Sequence, residues 1–332
     1  MTTAIHDHLK RALGVLRLSL TARCNLACRY CRPENQDPRT LLTHQQRLKL
    51  VGVAAQLGCR RLRLTGGEPL LAPGLVPLIQ AVKALDLVEE VAITSNGVLL
   101  DRPQAHRLRQ AGLDRITISL DGADPQAVRR MGGGNSFAQV VAAVGHAQAV
   151  GLPVKINMVV MAHGNGDQVV PMARLCRKLG VELRLIEYMD VGNRNGWQPQ
   201  QVLTAAAMTA RIARCWPLQP VGRQPGATAR RWRYGDGGGF VSTIASISEP
   251  FCGDCNRLRV TADGVAYTCL FASQGTDLKP ALDSRQPDAV LMRQLASLWW
   301  QRQDRYSEER ALRSQQADPR RPSPAEMAYI GG

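Results

Sequence analysis

The stretch EVAITSNGVLLDRPQAHRLRQAGLDRITISLDG, residues 90–122, contains two short runs rich in β-branched residues with an amphipathic segment between them. The two runs have the length of strands, and the segment 103–112 has helical spacing. Strands that alternate with helices form a parallel sheet with right-handed crossovers. The stretch therefore predicts one strand–helix–strand unit of an α/β fold.

The same alternation runs from residue 15 to residue 189. The predicted strands span 15–21, 59–67, 90–97, 115–122, 153–161 and 181–189. The helices predicted between them span 43–58, 75–85, 103–112, 137–151 and 167–180. We therefore predict an α/β fold, an incomplete (βα)6-type TIM-like barrel, with its chemistry at the carboxyl ends of the strands.

The pattern changes in the last third of the chain. Residues 219–239 are rich in Gly, Pro and Arg, and 239–247 and 257–271 predict strands. These strands are expected to form an antiparallel C-terminal extension of the barrel that carries a second cysteine cluster. We predict a core barrel over residues 5–220 and a C-terminal region over 221–332.

The composition bounds the class of protein. The chain has 332 residues and a formal net charge of +15, which arginine dominates. No apolar run is long enough to span a membrane, and the N-terminus lacks the apolar stretch of a signal peptide. We expect a cytoplasmic protein whose clustered cysteines bind metal. The charge predicts an anionic partner, and a small polyanionic substrate is favoured over nucleic acid because no nucleic-acid-binding motif occurs.

Cys24, Cys28 and Cys31 directly follow the first predicted strand in the spacing Cx3CxxC. One loop with this spacing can present three thiolates to three irons of a [4Fe–4S] cube, whereas zinc prefers four ligands. One iron then stays open to a ligand that is not protein. Gly67 and Glu68 end the second strand, where a glycine lets the backbone approach a ligand and a carboxylate can accept from an ammonium group.

These residues resemble the signature of the radical S-adenosylmethionine (SAM) enzymes. The resemblance implies that the open iron of the cluster chelates the amino and carboxylate groups of SAM. It also implies that Tyr30 lies against the adenine of SAM, and that the segment containing Gly67 and Glu68 meets the methionine group.

A second trio, Cys252, Cys255 and Cys269, lies in the C-terminal region. A CxxC pair with a later cysteine is compatible with zinc, but no histidine lies nearby to complete four ligands, so a second cube with an open iron is the other interpretation. Arg257 and Arg259 lie two apart in a predicted strand, and hence on one face, where guanidinium groups suit phosphate oxygens. Solvated strand charges are the simpler alternative for this pair.

The stretch SEPFCGDCNRLRVTADGVAYTCLF, residues 248–271, and the ending AYIGG, residues 328–332, resemble the GTP 3′,8-cyclase family over most of the chain. The resemblance implies two [4Fe–4S] clusters, SAM as cofactor and GTP as substrate, with the guanine held at the open iron of the second cluster. The implied reaction is the first step of molybdenum cofactor biosynthesis. A 5′-deoxyadenosyl radical takes the hydrogen from C3′ of the ribose, and C3′ then attacks C8 of guanine. A flavodoxin- or ferredoxin-like electron donor and a homodimer are further expectations, with no nucleic acid and no membrane as partners.

The resemblance also implies roles for individual residues. The implied SAM contacts are Tyr30, Gly67, Glu68, Ser119 and Met189. The implied GTP contacts are Arg17, Arg63, Thr94, Lys155, Arg257, Leu258 and Arg259. Arg17 and the tail residues Gly331 and Gly332 are predicted to serve catalysis. Departures from the family pattern at Ala22 and Gly122 affect small loop contacts rather than the cluster ligands.

Three alternatives stay open at this point. The Gly-Gly tail is predicted to order the active site, but an ordinary frayed chain end is the alternative. The chain as a whole is also compatible with a radical SAM peptide maturase that carries an auxiliary cluster. A zinc-dependent nucleic-acid-binding module would explain the charge but not the alternation of strands and helices.

Overall fold

The computed structural model describes residues 4–31, 33, 35–315 and 325–331, without the side chains of 311–315. Its strands are β1 Val15–Ser19, β2 Arg61–Thr65, β3 Glu90–Ser95, β4 Arg115–Ser119, β5 Val154–Val160, β6 Glu182–Glu187, β7 Leu218–Gly222, β8 Arg230–Tyr234, β9 Phe240–Ile244, β10 Arg257–Val260, β11 Val265–Tyr267 and β12 Thr276–Asp277. Its α-helices are α1 His44–Gln56, α2 Leu75–Ala84, α3 Arg102–Gln110, α4 Pro125–Arg130, α5 Phe137–Ala149, α6 Val169–Leu179, α7 Ala205–Ala213, α8 Lys279–Leu282, α9 Asp288–Trp300 and α10 Tyr306–Gln315.

All twelve of these strands belong to one sheet, in the order β12-β11-β10-β1-β2-β3-β4-β5-β6-β9-β8-β7. Strands β1 to β6 are parallel and follow one another in chain order. Strand β10 joins β1 in parallel, and β9 joins β6 in parallel. Antiparallel strands then complete both edges. The strands predicted over 239–247 and 257–271 include β9 and β10, which pair in parallel with the barrel, so the expectation of an antiparallel extension is wrong for these two strands. The prediction of an α/β fold with an open, barrel-like sheet is confirmed.

The two faces of each parallel strand differ in polarity. In β1, Leu16 and Leu18 are fully buried among the helices, while Arg17 points to the opposite face. The same alternation of leucine and arginine recurs in β2 and β10. Because successive side chains of a strand point to opposite faces, the apolar residues form the core between sheet and helices, and the polar residues line the inside of the curved sheet.

Local signals explain where helix α1 starts and where α6 stops. Thr43 accepts from the backbone N–H of Gln46, and the Gln46 side chain accepts from the backbone N–H of Thr43, which is a capping box. Gly180 ends α6 in the left-handed conformation, with a φ of 67°. No helix among the described residues combines the length and the apolarity needed to cross a membrane.

The stretch 219–239, for which the sequence predicted no strand, contains most of β7 and all of β8, which form an antiparallel hairpin. Strand β7 is an exposed edge strand, so it lacks the buried apolar alternation that marks an interior strand. Helices α4 and α7 were also not predicted. Both begin at a capping residue, Asp124 and Thr204, but α4 has only six residues, and the many alanines of α7 leave no clear contrast between an apolar and a polar face.

Candidate functional site

The inner face of the sheet encloses a cavity of about 600 Å³. Among the described residues, nine cationic side chains line it: Arg17, Arg61, Arg63, Arg115, Lys155, Arg184, Arg231, Arg257 and Arg259. Two carboxylates, Glu90 and Glu182, line it as well. A concave surface with this excess of positive charge attracts polyanions.

Most of the residues predicted to bind GTP come together in this cavity. Its lining includes Arg17, Arg63, Thr94, Lys155, Arg257 and Arg259. Leu258 lies elsewhere, because it alternates with its two arginine neighbours and is buried in the core on the outer face of β10. Any contact of Leu258 with a ligand in the cavity would have to involve its backbone.

The two carboxylates hold four of the cations in place. Glu90 accepts from Arg63 at 2.6 Å and pairs with Arg115 at 3.0 Å. Glu182 pairs with Lys155 at 3.1 Å and with Arg231 at 3.0 Å, and it accepts from the Ser242 hydroxyl at 2.6 Å. Burial acts to raise the pKa of each carboxyl, but the arginines beside Glu90, and the Ser242 hydroxyl together with the cations beside Glu182, outweigh it and lower both pKa values. The carboxylates are therefore ionised at neutral pH.

Arg17 lies in the part of the cavity where cations crowd one another. Burial lowers the pKa of Arg17 well below its usual value, and repulsion from Arg259 and Arg63 lowers it further. Its Nε and Nη2 atoms donate to the carbonyl oxygen of Gly331 at 3.0 and 2.8 Å. Arg259 donates to the same oxygen at 3.0 Å. The C-terminal tail therefore reaches the inside of the barrel.

The tail residues before Gly331 are anchored to the barrel. Ile330 is fully buried, and the Tyr329 hydroxyl lies 3.0 Å from both carboxylate oxygens of Asp263. Gly331 has a φ of 65°, and a Cβ on it would lie 2.5 Å from Cγ2 of Thr65. Only glycine fits here without strain. Gly332 lies outside the described residues.

Cys24, Cys28 and Cys31 lie in the loop after β1 as partly exposed free thiols. Burial raises the pKa of Cys28, and it raises that of Cys31 to about 12. Such thiols stay protonated until a metal displaces the proton. Three thiols on one loop are a donor set that fits an iron–sulfur cube.

The segment with the paired glycines packs directly against this cysteine loop. The Gly67 N–H donates to the carbonyl of Thr21, and the Glu68 N–H donates to that of Arg23, both at 2.8 Å. A Cβ on Gly67 would lie 2.1 Å from the carbonyl oxygen of Arg23. Glycine is therefore required by the close approach of two backbones at the edge of the predicted SAM site.

The Glu68 carboxylate is fully buried and points away from the cavity. It accepts from the backbone N–H groups of Leu70 and Asn96 and from the hydroxyl of Ser95, at 2.7 to 2.9 Å. Burial raises the pKa of Glu68 to about 7. Asn96 in turn reaches the sulfur of Cys24 at 3.7 Å. Glu68 thus links the ends of β2 and β3 beside the cysteine loop.

Asp37 forms hydrogen bonds with the start of the cysteine loop at Ala22, one of the two positions where the sequence departs from the family pattern. Its carboxylate accepts from the Thr21 hydroxyl at 2.5 Å, from the Ala22 N–H at 2.8 Å and from Arg23 at 2.8 Å. At the other departure, a Cβ on Gly122 would lie 2.4 Å from Cβ of Ala127. Helix α4 therefore packs against Gly122 with no room for a side chain.

Tyr30 joins an apolar cluster beside the first cysteine trio, together with Met131, Met161 and Tyr188. Its hydroxyl donates to Asp121 at 3.0 Å, and burial raises the pKa of Asp121 to about 6. Tyr30 lines the cavity, and so do two other predicted SAM contacts, Ser119 and Met189.

All three cysteines of the second trio line the same cavity. Cys252 begins a short 3₁₀ turn that Cys255 ends, and Cys269 follows β11. Burial acts to raise the pKa of Cys255, but Arg257 and Arg302 outweigh it and lower that pKa to about 7. The trio supplies thiol donors in a cationic environment, and this donor set also fits an iron–sulfur cube.

Several lining residues were not predicted from the sequence: Arg61, Glu90, Arg115, Glu182, Arg184 and Arg231. Five of them occupy alternate positions in β2 to β6, as in RLRLT, RITIS and ELRLIE. In these strands, charged or polar residues alternate with leucine or isoleucine, so they lie on the face opposite the apolar one. This alternation is the signal that would have identified them.

Comparison with known proteins places this site in context. A family model described as the Radical SAM superfamily matches residues 18–176, and one described as Molybdenum Cofactor Synthesis C matches residues 181–308. A GTP 3′,8-cyclase from Parasynechococcus marenigrum is 55% identical over 99% of both chains. One from Xanthomonas axonopodis pv. citri is 46% identical over 100% of both chains.

Among solved structures, SuiB of Streptococcus suis bound to S-adenosylmethionine aligns with a TM-score of 0.64 at 15% identity. The alignment covers 92% of this chain and 69% of that one. At this identity the likeness concerns the fold alone, and it agrees with the open, barrel-like parallel sheet.

Proposed function

The chain belongs to the GTP 3′,8-cyclase family, and we propose that its cavity holds GTP between two iron–sulfur clusters. It is a radical SAM enzyme that converts GTP to (8S)-3′,8-cyclo-7,8-dihydroguanosine 5′-triphosphate, the first step of molybdenum cofactor biosynthesis. The observation that carries the proposal is one cavity lined by nine cations, by three predicted SAM contacts and by the second cysteine trio.

Cys24, Cys28 and Cys31 would hold the first cluster; Cys28 and Cys31 pack against the apolar group that contains Tyr30, which lines the cavity. This cluster and SAM would supply the radical that removes the C3′ hydrogen of the ribose, so that C3′ bonds to C8 of guanine. The Tyr30 ring would support the adenine of SAM, because its hydroxyl is fixed by a hydrogen bond to Asp121. The burial of Tyr30 supports this role, because a ring fixed on one side offers the other to a stacked base.

Ser119 and Met189 complete the SAM site at the ends of β4 and β6. Gly67 contributes through its backbone, which approaches the cysteine loop closely. Glu68 acts indirectly, because its carboxylate fixes the backbone at the end of β3 instead of pointing into the cavity.

The triphosphate is bound by cations from several parallel strands. Arg17, Arg63 and Lys155 come from β1, β2 and β5, and Arg257 and Arg259 come from β10. Thr94 adds a hydroxyl at the end of β3. Guanidinium groups bind phosphate oxygens with charge-assisted hydrogen bonds in bidentate geometry, so these residues suit a triphosphate better than a neutral substrate.

Cys252, Cys255 and Cys269, which line the cavity, would hold the second cluster, and its open iron would bind the guanine. Zinc is the alternative metal for this trio, and the family membership favours the cluster. The tail orders the site through the Gly331 carbonyl, which accepts from Arg17 and Arg259.

The remaining proposals concern organisation and surroundings. The core barrel is assigned to residues 5–220 and the C-terminal region to 221–332, a boundary that falls within β7. We assign the chain a homodimeric state, a flavodoxin- or ferredoxin-like electron donor and a cytoplasmic location, where a reducing environment keeps nine free cysteines available.

Anaerobic reconstitution followed by iron analysis and mass spectrometry of the products tests this assignment. We expect about eight irons per chain and cyclised nucleotide from SAM, reductant and GTP. About four irons with one equivalent of zinc would refute the second cluster. A product formed from an added peptide instead of GTP would favour the maturase alternative.

A further inference from the structure

We propose that a buried triad, Asp7, Arg11 and Arg302, positions the second cysteine trio. The proposal rests on the two-cluster assignment above, and it concerns residues that lie outside the lining of the cavity. The triad joins the N-terminal segment of the chain to the end of helix α9, which precedes Arg302.

The three side chains form one charged unit in the interior. Nε of Arg11 lies 2.5 Å from Oδ2 of Asp7, and Nη1 of Arg302 lies 3.4 Å from the same oxygen. All three residues are at most 4% exposed. Burying three charges costs several kcal/mol per ion before pairing offsets it, and apolar residues often stabilise such a position better. The charged triad is better explained by the hydrogen bonds that its arginines donate to neighbouring loops.

Those outward hydrogen bonds converge on the loops that carry the second trio. Arg11 Nη1 donates to the carbonyl of Cys252 at 2.7 Å. Arg302 Nη1 donates to the carbonyl of Cys255 at 2.5 Å. Arg302 Nε donates to the carbonyl of Thr268, the residue before Cys269, at 3.0 Å. Each cysteine therefore has a carbonyl fixed at its own residue or the one before it.

Residues at and just after the end of helix α9 contact both arginines of the triad. The Trp299 ring lies 4.6 Å from the guanidinium carbon of Arg302, and its indole N–H donates to the carbonyl of Arg11 at 3.0 Å. The Asp304 carbonyl accepts from Arg11 at 2.8 Å, and its carboxylate accepts from the Thr268 hydroxyl at 2.6 Å. The two arginines thus have little freedom to turn away from the cysteine loops.

This geometry has two consequences for a cluster at the second trio. Fixed carbonyls restrict the movement of the loops that carry the three thiols, so a cluster bound there should resist loss. The Arg302 guanidinium also places a positive charge beside Cys255, and positive charges and hydrogen bonds around the sulfurs raise the reduction potential of a cluster. Removal of the triad should therefore weaken the cluster and make it harder to reduce.

The test uses a chain whose first trio is replaced by alanine (C24A, C28A, C31A), so that only the second cluster forms. In this parent, Arg302→Gln and Asp7→Asn should speed iron loss to a chelator about 10- to 100-fold. A potentiometric titration followed by electron paramagnetic resonance should show a lower midpoint potential for Arg302→Gln. Arg302→Lys keeps the positive charge but loses the guanidinium that donates to two carbonyls at once. It should therefore restore the midpoint potential more fully than it restores the retention of iron.

Two controls separate positioning from general loss of stability. Arg285→Gln removes an exposed arginine, whose side chain is 87% exposed, and should leave iron loss and potential at parent values. In the reciprocal parent (C252A, C255A, C269A), Arg302→Gln should leave the first cluster as stable as before. Equal loss of both clusters, or a second cluster unchanged in retention and potential, would overturn the role of the triad. If the parent that lacks the first trio (C24A, C28A, C31A) bound no four-iron cluster, this would instead refute the two-cluster assignment, and the triad proposal with it.

Discussion

Replacement of Gly331 by alanine should suppress cyclisation of GTP while leaving both cysteine trios able to bind iron. Gly331 has a φ of 65°, and the added Cβ would lie 2.5 Å from Cγ2 of Thr65, against 3.4–4 Å for ordinary contact. Because Thr65 is a buried residue at the end of β2, the tail has to move by roughly 1 Å.

A shift of that size breaks the contact between the tail and the cavity. The Gly331 carbonyl accepts from Arg17 at 2.8 and 3.0 Å and from Arg259 at 3.0 Å, so these distances approach about 4 Å, beyond hydrogen-bond range. Hydrogen bonds to charged groups are worth about 1.5–3 kcal/mol each. A misplacement of about 1 Å in a catalytic arrangement can lower the rate on the order of 10²-fold, which is the decrease that we expect.

The assay measures cyclised product by mass spectrometry, together with iron per chain and SAM binding, which should stay at native values. Gly180→Ala is the matched control, because Gly180 has a φ of 67° and no atom within 4 Å of an added Cβ. It carries the same backbone strain of about 1–2 kcal/mol without the clash. If Gly331→Ala cyclised GTP as fast as Gly180→Ala, the tail would have no part in the reaction.

Three further predictions follow from the site. Cys24→Ala should abolish SAM cleavage, whereas Cys252→Ala should keep about four irons and uncoupled SAM cleavage, and native iron content in Cys252→Ala would contradict the second cluster. Arg259→Ala should weaken GTP binding but not SAM binding, and calorimetry should show that the native enzyme binds GTP more tightly than guanosine; equal affinities would contradict a triphosphate site. Burial raises the pKa of the Glu68 carboxyl from 4.5 to about 7, so the folded chain binds the carboxyl proton more tightly than the unfolded chain does. The folded chain therefore loses up to about 3 kcal/mol of stability as the pH rises from 4.5 through 7. Urea unfolding of the metal-free chain at pH 5 and pH 8 should therefore show that Glu68→Gln gains stability relative to the native chain at the higher pH, and a pH-independent difference would refute this.

The parallel part of the fold was predictable because each interior strand has a continuous apolar face and each long helix has a clear start or stop. The hairpin of β7 and β8 was not predictable in this way. Strand β8, with the sequence RRWRY, contains three arginines among five residues and borders an edge strand, so it lacks the continuous apolar face of a buried strand. A strand is predicted from the alternation that a buried apolar face imposes on the sequence. An edge hairpin buries too little surface to impose that pattern.

The candidate site was predictable where the chemistry is local and not where it depends on register. Each cysteine trio contains a pair of near neighbours whose spacing alone suggests a metal site. The pairing of Lys155 with Glu182 depends on β5 and β6 placing these two residues directly opposite each other. The contact of Arg11 with Cys252 joins residues 241 positions apart. No spacing rule covers such contacts, because tertiary packing alone brings these segments together.

The charge of the cavity connects the stability of the chain with its choice of substrate. Nine cations and two carboxylates share the described lining, so repulsion among the cations disfavours the nucleotide-free folded state. Burial and the neighbouring Arg259 lower the pKa of Arg17, which shows that such repulsion acts inside the barrel. A bound triphosphate would relieve this repulsion, so part of its binding free energy would come from a cost that the folded chain already bears. Guanosine would offer no such relief, because it carries no charge. We therefore expect the same arginines that make the cavity unfavourable by itself to make it selective for the triphosphate.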